Sequence, residues 1–134
     1  MRYPVSGSAT GAIPAPAAGG VSGPINLLGR AITTGRVFWL RKAWFYNGKG
    51  QATAGVSLCD STTTATGPTG ANWVTNADGV RAIVQVVSGP SGGLNANTFV
   101  EFPAPGLKFV TGCMVACELT SSGVIGCGGS GYEE

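Results

Sequence analysis

Histidine is absent from this chain, so cysteine and carboxylate side chains are the main groups that could do chemistry. Without histidine the chain lacks the commonest general base, the usual partner of a serine or cysteine nucleophile, and the commonest zinc ligand. The four cysteines are Cys59, Cys113, Cys117 and Cys127. On one strand, Cys113 and Cys117 would lie about 13 Å apart at ~3.3 Å per residue, too far to share a metal ion. We therefore predict no metal site and no cofactor.

The six carboxylates are scattered along the sequence and form no pair with catalytic spacing. Glu133 and Glu134 are the one adjacent pair, and we expect both to be solvated. The glycine-rich stretches are typical of turns and lack the following helix that a phosphate-binding loop requires. We therefore predict that the chain is not an enzyme and has no catalytic residues.

One stretch of sequence mixes basic and aromatic residues, a combination that can bind single-stranded nucleic acid on a β-surface. Its members are Arg36, Phe38, Trp39, Arg41, Lys42, Trp44, Phe45, Tyr46 and Lys49. On a regular strand, however, Arg41 shares a face with Trp39 while Lys42 shares the other with Trp44, so the charges do not form one groove. Structural packing is the favoured interpretation, with nucleic-acid binding as an alternative. The net charge of +2 is too small to predict long-range attraction to a polyanion.

Composition indicates a turn-rich all-β protein. The 134 residues suit one domain and include 23 glycines and 8 prolines. Charged residues make up 10% of the chain, against roughly 25% in an ordinary soluble domain. No segment has a convincing helical period, and several short apolar runs are separated by Gly/Pro turns. This pattern predicts a single antiparallel β-sandwich or barrel.

Strands are predicted where β-branched and aromatic residues cluster or alternate with polar ones. The predicted strands are 36–46, 52–60, 80–87, 97–103 and 107–120, with a short one at 73–75 and a last one after Gly123. The first of them is apolar on both faces if its period of two is unbroken. It should therefore be covered on both sides, or it presents aromatic side chains to a partner.

A three-residue loop at Ser121–Gly123 predicts a hairpin between the last two strands. Its register would set Cys117 opposite Cys127 on the inner face. Two small buried residues are the favoured interpretation and a cross-strand disulfide is the alternative. The N-terminus has no apolar region typical of a signal peptide, which favours reduced thiols. No apolar run reaches the ~20 residues of a membrane span, so we predict no membrane partner.

Residues 1–35 form a Gly/Pro/Ala-rich segment with two charged residues, Arg2 and Arg30. We predict an extended N-terminal arm, followed by a β-sandwich domain at 36–134. Alone, the segment could not bury enough apolar surface to fold. It could lie along its own domain or on a neighbouring subunit, and the sequence leaves both open.

Two stretches of sequence carry a resemblance to a known group of proteins. They are VFWLRKAWFYNG and NTFVEFPAPGLKFVTGCMVACEL, the latter followed by a final hairpin strand. Over roughly residues 36–128 the chain resembles small virion proteins of tailed bacteriophages. The resemblance implies a jelly-roll or related β-sandwich that decorates or cements a capsid, commonly as a trimer, and that is made in the host cytoplasm. Other such proteins sit on tails or fibres.

The expectation that follows is a cement or decoration protein that binds the major capsid protein, stabilises the shell at the virion surface and forms a homo-oligomer. Low charge and small residues agree with a surface that neighbours cover. The candidate partner contacts are Ile25, Leu27, Leu28, Phe38, Trp44 and Tyr46. The main alternative is a tail or fibre component that binds a host glycan, with Trp73 or Tyr46 in an exposed pocket.

Overall fold

The computed structural model describes residues 1–9, 13–15, 20–21, 25–47, 54–61, 80–87, 96–119 and 123–134. These residues form two antiparallel sheets packed together, with no helix among them. A helix long and apolar enough to cross a membrane is thus not found in the described ranges. The all-β prediction and the prediction of antiparallel sheets are confirmed. The predictions for 73–75, Trp73 and Lys49 lie outside the described residues.

Each sheet is built from strands that are distant in sequence. The front sheet has the order β1-β11-β5-β8, with β2 beside β11 and β9 beside β5. The back sheet has the order β3-β10-β6-β7, with β4 beside β10. The strands are β1 (Tyr3–Ser8), β2 (Ile13–Ala15), β3 (Gly20–Val21), β4 (Ile25–Asn26), β5 (Phe38–Asn47), β6 (Ala54–Asp60), β7 (Val80–Val86), β8 (Ala96–Glu101), β9 (Leu107–Phe109), β10 (Cys113–Leu119) and β11 (Gly123–Glu133).

The strand pairs are nested within one another. Strand β1 pairs with β11, β3 and β4 pair with β10, β5 pairs with β8 and β9, and β6 pairs with β7. The pairing is therefore nested, with β1 and β11 as the outermost pair and β6 and β7 as the innermost. Successive pairs alternate between the two sheets. The inner faces of both sheets contribute to one core, in which the largest fully buried side chains are Ile13, Leu27, Phe38, Leu40, Phe45, Val56, Leu58, Val86, Phe109 and Ile125.

The described part of residues 1–35 is built into the two sheets. Strands β1 and β2 extend the front sheet, while β3 and β4 extend the back sheet. Val5, Ile13 and Leu27 from this segment are buried in the common core. Of the two arrangements that the sequence leaves open, the described residues of this segment take the first and lie on their own domain. The predicted extended N-terminal arm is not confirmed.

A β-bulge at Arg41 changes which residues of β5 face the core. Lys42 pairs with Ser130, but the next register pair joins Leu40 with Gly131, so Arg41 is an extra residue. Phe38 and Leu40 point inward before the bulge, and Ala43 and Phe45 point inward after it. The predicted assignment of residues to the two faces is therefore wrong, because it assumed a period of two through Arg41. The outer face still carries Trp39, Trp44 and Tyr46.

The segment 107–120 is two strands rather than the one that was predicted. Strand β9 pairs in the front sheet and β10 in the back sheet, so the chain changes sheet between Val110 and Gly112. The carboxylate of Asp60 accepts hydrogen bonds from the backbone N–H groups of Val110, Thr111 and Gly112 at 2.7–3.1 Å. Arg81 donates to the same carboxylate at 3.0 Å. The Asp60 carboxylate thus takes the place of a strand partner for the N–H groups of residues 110–112. The chain can therefore leave one sheet for the other at this point.

The predicted hairpin between β10 and β11 is wrong, because the two strands pair in opposite sheets. Cys117 and Cys127 are consequently not register partners. All four cysteines are buried and none forms a disulfide. Burial raises the pKa of Cys59 to about 12 and that of Cys127 to about 11. Burial first, and then the nearby Cys127, also raise the pKa of Cys113. The interpretation of small buried thiols is confirmed.

Candidate binding surface

The outer faces of the two sheets differ in exposure. On the back sheet, Ser57, Cys59, Met114 and Ala116 point away from the core and yet are at most 3% exposed, whereas Ile83 on the neighbouring β7 is 54% exposed. On the front sheet, two aromatic side chains are exposed, Tyr46 at 46% and Phe99 at 59%. Exposed aromatic groups that share one face are informative because they mark candidate contact sites. The outer face of the front sheet is therefore the candidate binding surface.

Three aromatic side chains form what we call the platform: Trp44, Tyr46 and Phe99. Trp44 and Phe99 are register partners on β5 and β8. Trp44 lies over Gly128, where an added Cβ would come within 2.6 Å of Cε2 of the indole. Tyr46 lies over Gly126 in the same way, with its Cδ2 at 3.2 Å from such a Cβ. The rings of Trp44 and Tyr46 therefore lie over backbone that carries no side chain, which supports these two members of the platform from below.

A shallow groove of about 350 Å³ lies beside the platform on the same face. Its lining residues are Pro4, Val5, Ser6, Arg41, Lys42, Ser130, Gly131 and Tyr132. In a regular strand, consecutive residues point to opposite faces. The bulge instead brings Arg41 and Lys42 to the same groove, which gives it a cationic wall.

Hydrogen bonds and a cation–π contact hold the walls of the groove in place. The Nε of Arg41 donates to the carbonyl oxygen of Phe102 at 3.0 Å. The hydroxyl of Tyr132 donates to the carbonyl oxygen of Pro105 at 3.0 Å, and the Arg2 guanidinium lies 4.6 Å from the centre of the Tyr132 ring. Both walls are thus anchored to the turn that follows β8.

Lys42 makes two weak contacts at the border between groove and platform. Its Nζ lies 3.6 Å from Oε1 of Glu101 and 6.0 Å from the centre of the Phe99 ring. Both Lys42 and Glu101 are more than half exposed, so this ion pair contributes little to stability. The border of the platform is therefore polar and adaptable.

Glu133 is buried, contrary to the expectation that it is solvated. Its side chain is 2% exposed and accepts hydrogen bonds from the Arg30 guanidinium and from the backbone N–H of Thr33 at 3.1 Å. Arg36 lies 3.6 Å from its other oxygen and stacks on the Tyr3 ring at 3.7 Å. Burial raises the pKa of Glu133, but the bonds from Thr33 and Arg30 and the Arg30 charge outweigh it, so the pKa is lowered. This cluster ties residues 30–36 to the end of β11.

The predicted partner contacts divide between core and surface. Leu27, Leu28 and Phe38 are buried in the core of the single chain, which leaves little of their side chains for contact with a partner. Ile25 and Trp44 are half-buried, and Tyr46 is exposed on the platform. The sequence interpretation missed Phe99 and, apart from Arg41 and Lys42, the groove residues. Strand alternation from Glu101 would place Phe99 on the same outer face, and this signal could have found it, whereas no local signal marks the bulge.

The basic residues of the mixed stretch are dispersed rather than aligned. Arg36 is engaged with Glu133 and Tyr3, while Arg41 and Lys42 line the groove. A continuous cationic track, which single-stranded nucleic acid requires, is not formed by these three residues. Among the described side chains no group of three or more cysteine and carboxylate side chains is placed to hold a metal ion.

Comparison of the sequence with known protein families, with curated proteins and with solved structures found no match.

Proposed function

We propose that this chain is a structural, non-enzymatic virion protein of the cement or decoration type. In this proposal it docks on a capsid shell through the outer face of the front sheet and stabilises that shell. The observation that carries the proposal is the platform on a chain with few charges: Tyr46 and Phe99 are exposed, and Trp44 and Tyr46 lie over glycine. Interface centres are rich in tyrosine, tryptophan and phenylalanine and poor in charged residues.

The strand order supports a jelly-roll version of the sandwich. A jelly roll has two four-stranded sheets built from two Greek keys, and it recurs in viral capsid proteins and lectins. Such a roll would produce nested strand pairs. The pairs here are nested in this way: β1 with β11, β3 and β4 with β10, β5 with β8, and β6 with β7. Fold alone does not determine function, so the strand order supports a virion role without assigning one.

The surroundings of the platform fit a protein partner. Lys42 and Glu101 form a polar rim beside the aromatic centre, as in a protein–protein interface with an apolar core. We propose the major capsid protein as that partner and the capsid surface as the location. A homotrimer at a symmetry point of the shell would present three platforms, and multivalent attachment raises avidity without new contacts.

Co-sedimentation with purified capsid shells of the encoding phage tests this function. The wild-type chain should sediment with the shells, and Phe99→Ser should weaken the binding by at least about tenfold, since hot-spot aromatics each contribute ~2 kcal/mol or more. Ile83→Ser is the matched control, because Ile83 is 54% exposed on β7 of the other sheet. Failure of the wild-type chain to bind shells, or equal loss in both variants, would contradict the proposal.

A second candidate is a tail or fibre component that binds a host-surface glycan. The neighbouring aromatic side chains of Trp44 and Tyr46 on one face favour it, since sugar rings pack their apolar faces on aromatic side chains. A glycan array decides between the two. Specific glycan binding that Tyr46→Ser removes, without any binding to shells, would replace the cement function by this one.

A further inference from the structure

The β-bulge in β5 places two consecutive cations, Arg41 and Lys42, on one groove beside the platform. We propose that this groove binds a carboxylate side chain, an Asp or Glu that projects from the protein partner. The inference rests on the proposed docking function and specifies the chemistry of the partner surface. It predicts that the docked surface carries an acidic side chain next to an apolar patch.

Arg41 differs from the other arginines because no carboxylate among the described residues forms an ion pair with it. All five arginines of the chain are described, and four of them pair with a carboxylate: Arg2 with Glu134, Arg30 and Arg36 with Glu133, and Arg81 with Asp60. No described carboxylate lies within ion-pair distance of Arg41. Its guanidinium therefore has terminal N–H groups to offer to an external anion.

Contacts within the chain hold the Arg41 side chain in place before any ligand binds. Its Nε donates to the carbonyl oxygen of Phe102, and its own carbonyl accepts the N–H of Phe102 at 2.8 Å. The Arg41 side chain also packs closely against the backbone of Gly106. A side chain that is fixed in this way loses little conformational entropy on binding, which favours affinity.

The shape and lining of the groove favour a side-chain carboxylate from a docked protein. The groove is shallow and open, so it does not enclose a free small molecule, whereas a projecting side chain can enter it from above. Ser6 and Ser130 line it, and their hydroxyl groups can donate hydrogen bonds to a carboxylate. The adjacent platform is apolar, as the centre of a protein interface is, whereas a nucleic-acid track needs repeated cations.

Titration of the purified chain with a hexaglutamate peptide, followed by NMR shifts, tests the groove without any capsid. The peptide should shift the signals of groove residues, and Arg41→Gln should weaken its binding by at least about fivefold. Binding should also fall with added salt, since charge attraction is screened. A hexaglutamine peptide is the ligand control. Lys108→Gln is the protein control, because Lys108 lies on the same sheet face beside Trp39 and outside the groove.

A second variant keeps the proposal testable if Arg41→Gln disturbs the bulge. Glu101→Gln removes the carboxylate beside Lys42 and should tighten hexaglutamate binding by about twofold without touching the bulge. Hexaglutamate binding that neither variant changes would overturn the proposal. Binding of an oligouronate or of oligo-dT in the groove, with no binding of hexaglutamate, would overturn it in favour of a glycan or a nucleic acid.

The two proposals fail in different ways. If the chain sediments with shells but hexaglutamate does not bind the groove, the docking function stands and the carboxylate site falls. If hexaglutamate binding depends on Arg41 but no shell is bound, the carboxylate site stands and the cement function falls.

Discussion

The indole of Trp44 rests on the backbone of Gly128, and the absence of a side chain at residue 128 is what allows it. The two residues are register partners on β5 and β11, at the centre of the front sheet. A Cβ at residue 128 would lie within 2.8 Å of Cζ2 and even closer to Cε2 of the indole. The glycines of β11 therefore determine the height and tilt of the rings that form the platform.

Gly128→Ala should displace Trp44 and weaken the platform. The indole has to rotate or rise to avoid the methyl group, at a cost of about 1–3 kcal/mol in unfolding free energy. Urea denaturation followed by tryptophan fluorescence measures the loss, and the emission of the folded state should also shift because the indole becomes more solvated.

Gly55→Ala is the matched control for this substitution. Gly55 also lies within a strand, β6, but nothing lies within 4 Å of an added Cβ there. It should leave stability unchanged or raise it by up to ~1 kcal/mol, because alanine restricts the unfolded chain. Equal stability changes in the two variants would show that the Trp44 contact is not the cause.

Asp60→Asn should destabilise the fold by about 2–3 kcal/mol at neutral pH, since hydrogen bonds to a charged group are the strong ones. Burial raises the pKa of Asp60, but the bonds from Thr111, Val110 and Gly112 outweigh it and lower the pKa from 3.8 to about 2. A pKa that is lower in the folded state contributes stability above about pH 4, and this contribution is lost as the pH falls towards 2.

The urea midpoints at pH 7 and pH 2.5 test this assignment. The wild-type midpoint should fall steeply between these values, and the Asp60→Asn midpoint should fall less. The ion pair with Arg81 is a smaller contributor, because Arg81 is 41% exposed. Arg81→Gln should therefore cost less than Asp60→Asn. An Asp60→Asn protein with the wild-type acid profile would contradict the role of the carboxylate.

Glu133→Gln should cost about 1–3 kcal/mol, because it removes charge-assisted bonds from Arg30 and a buried acceptor charge. The neighbouring Glu134 is a matched control. Its ion pair with Arg2 spans 3.7 Å and its side chain is 45% exposed, so Glu134→Gln should change stability by less than ~0.5 kcal/mol. Thermal unfolding of the two variants compares their stabilities directly. A similar effect of both would contradict the role of Glu133 in holding residues 30–36 to the end of β11.

The buried thiols should resist alkylation in the folded state. Burial raises the pKa of Cys59 to about 12 and of Cys127 to about 11, so both remain protonated at pH 9 and are poor nucleophiles. Because these pKa values are raised by folding, their contribution to stability is present below about pH 9 and is lost as the pH rises towards 11–12. Iodoacetamide labelling at pH 8.5 should modify the thiols in urea and leave them intact without it; rapid labelling of the native chain would refute this.

The strand positions could be predicted largely from local sequence, and their pairing could not. The strands at 54–60 and 80–86 lie within about two residues of the prediction, because alternation and turn residues are local signals. The break at Val110–Gly112 depends instead on Asp60, some fifty residues away in sequence. The hairpin prediction at Ser121–Gly123 failed for a similar reason, since β11 pairs with β1 and β5 rather than with its neighbour.

The candidate surface could be predicted only in part, because it too depends on contacts between residues that are distant in sequence. Tyr46 is exposed and was among the expected contacts, but Leu27 and Phe38 were indistinguishable from surface apolar residues in sequence. The groove depends on the bulge at Arg41, which arises from how β11 meets β5 across the sheet. Glu133 was expected to be solvated because its partners, Arg30 and Thr33, lie about a hundred residues away.

Strand β11 lies between β1 and β5, and this position has a consequence for synthesis on the ribosome. Strands β1 and β5 emerge first, and they have no neighbour in common until residues 123–133 have left the exit tunnel. The front sheet can thus close only once residues 123–133 are available, through pairings of long sequence separation, which are the slow ones to form. Until then the edges of β1 and β5 that later pair with β11 are unpaired, and an unpaired strand edge is a site at which another chain can pair.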